Sequence, residues 1–306
     1  MLILIGSWWR TRWSLAIISV VAVGTLVVVF RARLNDAPSV ATDRATNEVA
    51  QTDGANPTRA STDEVPVIAK PPIDVAHPLY VPLQAAYNAR EALNEVQDYE
   101  AVFSKRELMG RKLVSTTMNL KLRHEPFSVY LKFVEPKANA GREVIYVKGL
   151  NDDNLLVRDA GFAGMLGTNK LLPTGSLAMS DNRYPVTMIG LRTMLDKVIR
   201  QWEAEAKFDE VETKEDSDAV LPTGEACVVY EALHPTPREH FKFHITRLWI
   251  DKQTHLAIRV EQLGFPPTQD KAAPVIEEYT YGKVQTNVHL GDEDFDVKNK
   301  KYGFQR

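Results

Sequence analysis

Period-two alternation restricts the fold of this chain more than any other feature. Val114, Met118, Leu120 and Leu122 alternate with Ser115, Thr117, Asn119 and Lys121, and Phe127, Val129, Leu131 and Phe133 alternate with Ser128, Tyr130 and Lys132. Only an extended chain sends every second side chain to one side, so both stretches predict strands of a sheet with one apolar face. Met109-Gly110 and Glu125-Pro126 supply turns beside them. Connections this short demand antiparallel pairing, because a parallel crossover needs a dozen residues or more. Further strands are expected at about 207–213, 226–233, 241–250, 255–263 and 275–286, with Asp251-Lys252-Gln253-Thr254 as a hairpin turn. The apolar parity changes from Phe241, Phe243 and Ile245 to Leu248 and Ile250, which predicts a β-bulge near Thr246 or Arg247.

Two stretches carry the helical period instead. Leu83, Ala86, Tyr87, Leu93 and Val96 place an amphipathic helix over 83–97, and Met188, Leu191, Leu195, Val198 and Trp202 place a second over 187–206. Asp196 and Arg200, four apart, form a supporting pair on its other side. Many antiparallel strands and two amphipathic helices make an α+β domain, with the helices on one face of a curved sheet.

The N-terminus has a different character. Residues 13–30, WSLAIISVVAVGTLVVVF, carry no charge, and as a helix these 18 residues span ~27 Å, close to the ~30 Å hydrocarbon core. Trp8, Trp9 and Trp13 stand where indole rings favour the headgroup region, and arginines at 10, 12, 31 and 33 flank the segment. Phe30-Arg31-Ala32-Arg33 is a poor cleavage site and no cysteine stands nearby, so an uncleaved anchor is favoured over a signal peptide, with the N-terminus cytoplasmic. Residues 35–77, rich in Ala, Thr, Asp, Asn and Pro, read as a disordered tether. Residues 1–34 are thus an anchor or signal segment, 35–77 a linker and 78–306 the folded domain. The chain's net charge is -3; its first 34 residues hold four arginines and no acid, leaving -7 for the rest. That balance argues against nucleic-acid binding.

Catalytic signatures are absent: no Gly-x-Ser-x-Gly elbow, phosphate-binding loop, dinucleotide fingerprint or HExxH occurs. His240 and His244 would share a face if 241–250 were extended, but Lys242 stands between them, so no metal site is assigned. The acids Asp292, Glu293, Asp294 and Asp296 lack the glycine and terminal Glu of a calcium loop and read as a solvated turn. Cys227, the single cysteine, lies in an apolar run and reads as a small buried strand residue. The stretch 159–186 fits neither period. It holds Phe162, Met165, Leu166, Leu171, Leu172, Leu177 and Met179 among four glycines, and is either a flap over a hydrophobic cleft or a loop that closes the core. Arg183 could meet an anionic head group there, or tie the loop to the sheet.

Several phrases together, YEAVFSKRE (99–107), EPFSVYLKFVEPKANAGREVIYV (125–147), MSDNRYPVTMIGL (179–191), FKFHITRLWID (241–251), IEEYTYGKV (276–284) and DFDVKNKKYGF (294–304), resemble the bacterial domain of unknown function 1571. That family is similar in pattern to the lipoprotein-localisation-factor superfamily. The resemblance implies a strongly curved antiparallel half-barrel with helices covering its concave face, sheltering acyl chains. It carries no catalytic residues over. The expectation is therefore a non-catalytic protein of the bacterial envelope, held at the inner membrane through 13–30 with its C-terminal domain outside the cytoplasm. It would need no cofactor or metal and would bind a lipid, lipoprotein acyl chain or other apolar ligand. Val129, Leu131, Phe133, Phe162, Met165, Leu166 and Arg183 are the candidate ligand contacts. A tethered protein-interaction or sensory module with a filled interior is the alternative, and an extracytoplasmic hydrolase the third.

Overall fold

Leu120 on one strand lies opposite Leu131, which lies opposite Val144, which lies opposite Val157. This apolar row crosses four strands, β2 (Lys112–Arg123), β3 (Ser128–Glu135), β4 (Glu143–Val147) and β5 (Leu155–Arg158), and all four side chains are buried. One residue along, Lys121, Tyr130, Ile145 and Leu156 form the matching row on the opposite face. Alternation thus divides the sheet into two surfaces, as strand geometry requires.

The computed structural model describes residues 70–305 apart from Leu166 and Gln269, and these lie within one compact unit. The expected anchor 13–30 and most of the tether fall outside the described residues; among those described, no helix is long and apolar enough to cross a membrane. The remaining strands are β1 (Asp98–Met109), β6 (Asn169–Leu171), β7 (Glu212–Val220), β8 (Ala226–Leu233), β9 (Ile245–Asp251), β10 (Ala257–Leu263) and β11 (Val275–Thr286). They form one open antiparallel sheet of eleven strands in the order β6-β5-β4-β3-β2-β1-β11-β10-β9-β8-β7, consistent with a curved half-barrel. Two meanders, β1–β6 and β7–β11, join where β1 pairs with β11, from Tyr99 opposite Thr286 to Glu107 opposite Glu277.

Helices α1 (Tyr80–Ala92) and α4 (Leu191–Glu205) pack on one sheet face, with the single-turn helices α2 (Gly161–Gly164) and α3 (Ser176–Met179) in the long connection before α4. Leu83 and Ala86 of α1 and Leu195, Val198 and Trp202 of α4 share a core with Leu120, Leu131, Leu248 and Tyr281. Each Leu or Val buried there contributes about 1.5–3 kcal/mol relative to exposure.

The structure corrects several expectations. Both helices are shorter than their apolar period suggested. Asp196 pairs with Arg90 of α1 at 2.9 Å rather than with Arg200, because the helices pack side by side. Strand β7 starts at Glu212, not 207, and its charged sequence is extended because it pairs with β8 at the sheet edge. No register shift occurs at Thr246 or Arg247. The parity change has another cause: β9 begins only at Ile245, and Phe241 and Phe243 are buried from the irregular segment before it. Finally, the second sheet face is not simply polar. Tyr130, expected among the exposed residues, stacks on Tyr302 at 4.0 Å, and the C-terminal segment covers Ile145 and Leu156 with Leu290 and Phe295.

Candidate ligand-binding cavity

Between the helix-bearing face of the sheet and the connection 169–189 lies a cavity of about 810 Å³. Its apolar wall is supplied by strands and helix alike: Met118, Leu131, Val144, Val157, Met194 and Val260 all line it. Such a volume falls within the ~300–1,000 Å³ typical of small-molecule sites.

One side of the cavity carries charge, and its groups come from distant parts of the chain. On β1, Lys105 Nζ donates to Glu107 Oε2 at 2.5 Å and to Asn182 Oδ1 at 2.5 Å. Tyr279 of β11 donates its hydroxyl to Glu107 Oε1 at 2.5 Å. Arg183 Nε donates to Glu277 Oε2 at 2.7 Å, and Tyr184 donates to the same carboxylate at 3.1 Å. Glu107 and Glu277 are almost wholly buried, so each has its charge met by a cation and by hydroxyl donors, as burial of a carboxylate demands. Burial and the nearby Glu277 push the Tyr184 phenol up to about 12, and burial with Glu277 and Glu107 pushes that of Tyr279 up further. Both hydroxyls stay protonated and serve as donors.

Lys197 of α4 also lines the cavity, with Nζ 3.0 Å from the centroid of the Tyr184 ring. Burial lowers its pKa to about 8; the charges of Lys242 and Arg200 act in the same direction, opposed by Glu277 and Glu107.

The sequence candidates separate into distinct places. Leu131 and Phe133 line the cavity, whereas Val129 is fully buried in the core behind it. Phe162 and Met165 are 79% and 75% exposed and do not line it, and Leu166 lies outside the described residues. Leu177 and Ala178 of α3 and Pro185, Val186 and Ile189 supply the loop's share of the wall. Arg183 does tie the loop to the sheet: besides Glu277, it donates from Nη1 to the Leu108 carbonyl at 3.1 Å. Of the Lys105–Glu107–Arg183–Glu277 group the sequence singled out only Arg183; the other three read as ordinary strand charges.

The other chemical candidates are accounted for structurally. Residues 240–244 are not a strand; His240 stacks on Phe208 at 3.8 Å, and His244 Nδ1 lies 2.8 Å from the His234 carbonyl. Among the described residues no cluster of His, Cys, Asp and Glu could hold a metal ion. Asp292 and Asp294 pair with Arg123 at 2.9 Å and Lys121 at 2.7 Å. Cys227 is buried in β8, and burial raises its thiol to about 11, which keeps it protonated and unreactive.

Several solved structures match this chain at low similarity. Mycobacterium tuberculosis lipoprotein LppX is 13% identical, with a TM-score of 0.40 over 70% of this chain and 97% of that one. MucB in the Pseudomonas aeruginosa MucA/MucB complex is 13% identical, with a TM-score of 0.39 over 70% and 60%. A LolA superfamily protein from Nitrosomonas europaea is 9% identical, with a TM-score of 0.30 over 69% and 96%. No curated protein sequence matches the chain. Residues 96–304, two meanders with the cavity between sheet and helices, match the model of the family described as protein of unknown function DUF1571, and the chain belongs to that family.

Proposed function

We propose that this chain is a non-catalytic envelope protein that shelters the acyl chain of a lipid or lipoprotein in the cavity of a strongly curved half-barrel. The observation that carries this reading is the cavity and what builds its wall. Val157 on β5 and Val260 on β10 both line it, yet they stand six strands apart in the sheet order. A flat sheet would hold them ~29 Å apart, so a single cavity lined by both supports a sheet that bends around its contents. An acyl chain suits that space. At ~0.8 kcal/mol per buried methylene, a dozen methylenes contribute ~10 kcal/mol before the ~4–15 kcal/mol cost of association. Useful affinity therefore also requires polar contacts or a second chain.

In this reading the segment 13–30 holds the domain at the inner membrane, outside the cytoplasm, and 35–77 lets it reach the bilayer from which its ligand comes. A protein-interaction role is the second reading. The exposed Phe162, Met165, Leu172 and Leu177, all in the connection between β5 and α4, favour it, since exposed apolar side chains suit a partner surface.

Mass spectrometry of organic extracts from the full-length protein tests the proposal, with Leu131→Trp, which narrows the cavity, as the comparison. Lipid at near-stoichiometric amounts in the wild type and severalfold less in the folded variant is the expected result. Equal lipid in both would overturn it, as would its absence from the wild type even after incubation with lipid vesicles.

A further inference from the structure

The charged side of the cavity is unbalanced. Lys105 and Lys197 line it as cations and Glu107 and Glu277 as buried acids, while Arg183, outside the lining, reaches Glu277 from the adjoining loop. Each acid is already engaged, Glu107 by Lys105 and Tyr279, Glu277 by Arg183 and Tyr184. Elsewhere in the lining, Arg142 is paired with Asp159 at 2.6 Å, and Lys112 and Asp181 are exposed to solvent. Lys197 is left as the surplus. Among the described residues no ion pair joins it to a carboxylate, and its Nζ rests on the Tyr184 ring. Its lowered pKa follows physically, because a half-buried ammonium without a counter-ion disfavours its own charge. Its neighbours on α4, Met194 and Val198, also line the cavity, so Lys197 stands beside the apolar wall.

We infer that Lys197 is the counter-cation for an anionic amphiphile, pairing with a carboxylate or phosphate head group while the apolar tail lies along Leu131, Val144 and Val157. This rests on the reading of the cavity as an acyl-chain site and names the class of lipid it takes. A lone ammonium is a compact point charge that accepts either head group, with the Tyr184 ring behind it. Glu107 and Glu277 do not repel the head group as free charges would, since both are neutralised in place. A neutral amphiphile would leave the ammonium uncompensated.

Native mass spectrometry of the full chain, released from non-ionic detergent, tests this with oleate, dodecyl phosphate, methyl oleate and inorganic phosphate as probes. Tenfold or greater preference for oleate and dodecyl phosphate over methyl oleate is expected. Lys197→Met should abolish that preference while still retaining methyl oleate, and Lys197→Arg should keep it; Lys197→Gln serves should the Met variant fail to fold. Equal retention of oleate and methyl oleate by the wild type, or a preference that survives in Lys197→Met or Lys197→Gln, would overturn the inference and leave the acyl-chain reading intact. Retention of no amphiphile at all would remove the acyl-chain reading, and this inference with it. Displacement of oleate by inorganic phosphate at comparable concentration would show a free-anion site and overturn the amphiphile.

Discussion

Two buried tyrosines of the sheet hold the start of α4, and removing their hydroxyls should measurably loosen the fold. Helix α4 begins after Gly190, which has no side chain to cap it. The backbone N–H of Gly190 donates instead to the Tyr281 hydroxyl at 2.9 Å, and that of Leu191 to the Tyr99 hydroxyl at 3.0 Å. These are two of the four donors that a helix N-terminus always leaves without an intrahelical partner. Both rings are buried in the centre of the sheet, on β1 and β11, and lie edge to face with centroids 6.4 Å apart. Tyr281→Phe or Tyr99→Phe keeps the ring and its packing but strands a buried N–H, which costs about 1–3 kcal/mol. Loss of an ordinary helix cap, about 0.5–2 kcal/mol, brackets the same range. Each single variant should therefore lose about 1–2 kcal/mol. The double variant should lose less than the sum, because water that reaches one freed donor also reaches the other. Urea unfolding of the full-length chain, followed by circular dichroism, reads the change as a lower midpoint with an unchanged slope. Losses below ~0.3 kcal/mol in both single variants would refute the reasoning and show that these donors find water in the native state.

Two other perturbations have signs set by the structure. Gly190 has φ +121°, a conformation side chains rarely adopt, and an added Cβ would stand 2.9 Å from Leu122 Cδ1 and 3.2 Å from the Tyr99 oxygen. Gly190→Ala should therefore destabilise by more than ~1 kcal/mol in the same assay, and a neutral result would mean α4 can shift without cost. His234 is buried, with Nε2 3.2 Å from Glu205 Oε2 and Nδ1 2.9 Å from the Glu210 carbonyl. Burial alone would lower its pKa, but Glu205 and Glu210 outweigh it and the net shift is upward from 6.5. A raised folded-state value means the stabilisation is complete below 6.5 and is lost as pH rises through the folded value. His234→Phe should flatten that part of the stability profile in urea titrations at successive pH; an unchanged slope would assign it to another group.

What the sequence determined by itself is the local part: which segments are extended, where they turn and which face of each is apolar. Period-two runs such as 114–122 act through neighbouring residues, and so does the turn at Asp251-Lys252-Gln253-Thr254. The expected limits of β8 and β11 coincide with the structure for the same reason. Strand β7 escaped because ETKEDSDAV has neither an apolar face nor strand-forming residues in number. It is extended through its partner β8, and its charges suit a sheet edge that must not recruit other strands. The bulge expected at Thr246 failed because a change of parity records which side chains are buried, not that the chain is extended.

Only the tertiary structure decided what depends on residues far apart in sequence. Pairing of β1 with β11, from Glu107 opposite Glu277 to Tyr99 opposite Thr286, closes a separation of 170 to 187 residues. That one pairing brings Glu107 beside Tyr279, sets Tyr99 and Tyr281 under α4, and puts both meanders around a single cavity. Sequence reasoning could nominate Leu131 and Phe133 because a strand's apolar parity is visible locally. It could not exclude the exposed Phe162 and Met165, nor single out Lys197, because whether a side chain faces a cavity, a solvent edge or a buried carboxylate is a property of what packs against it.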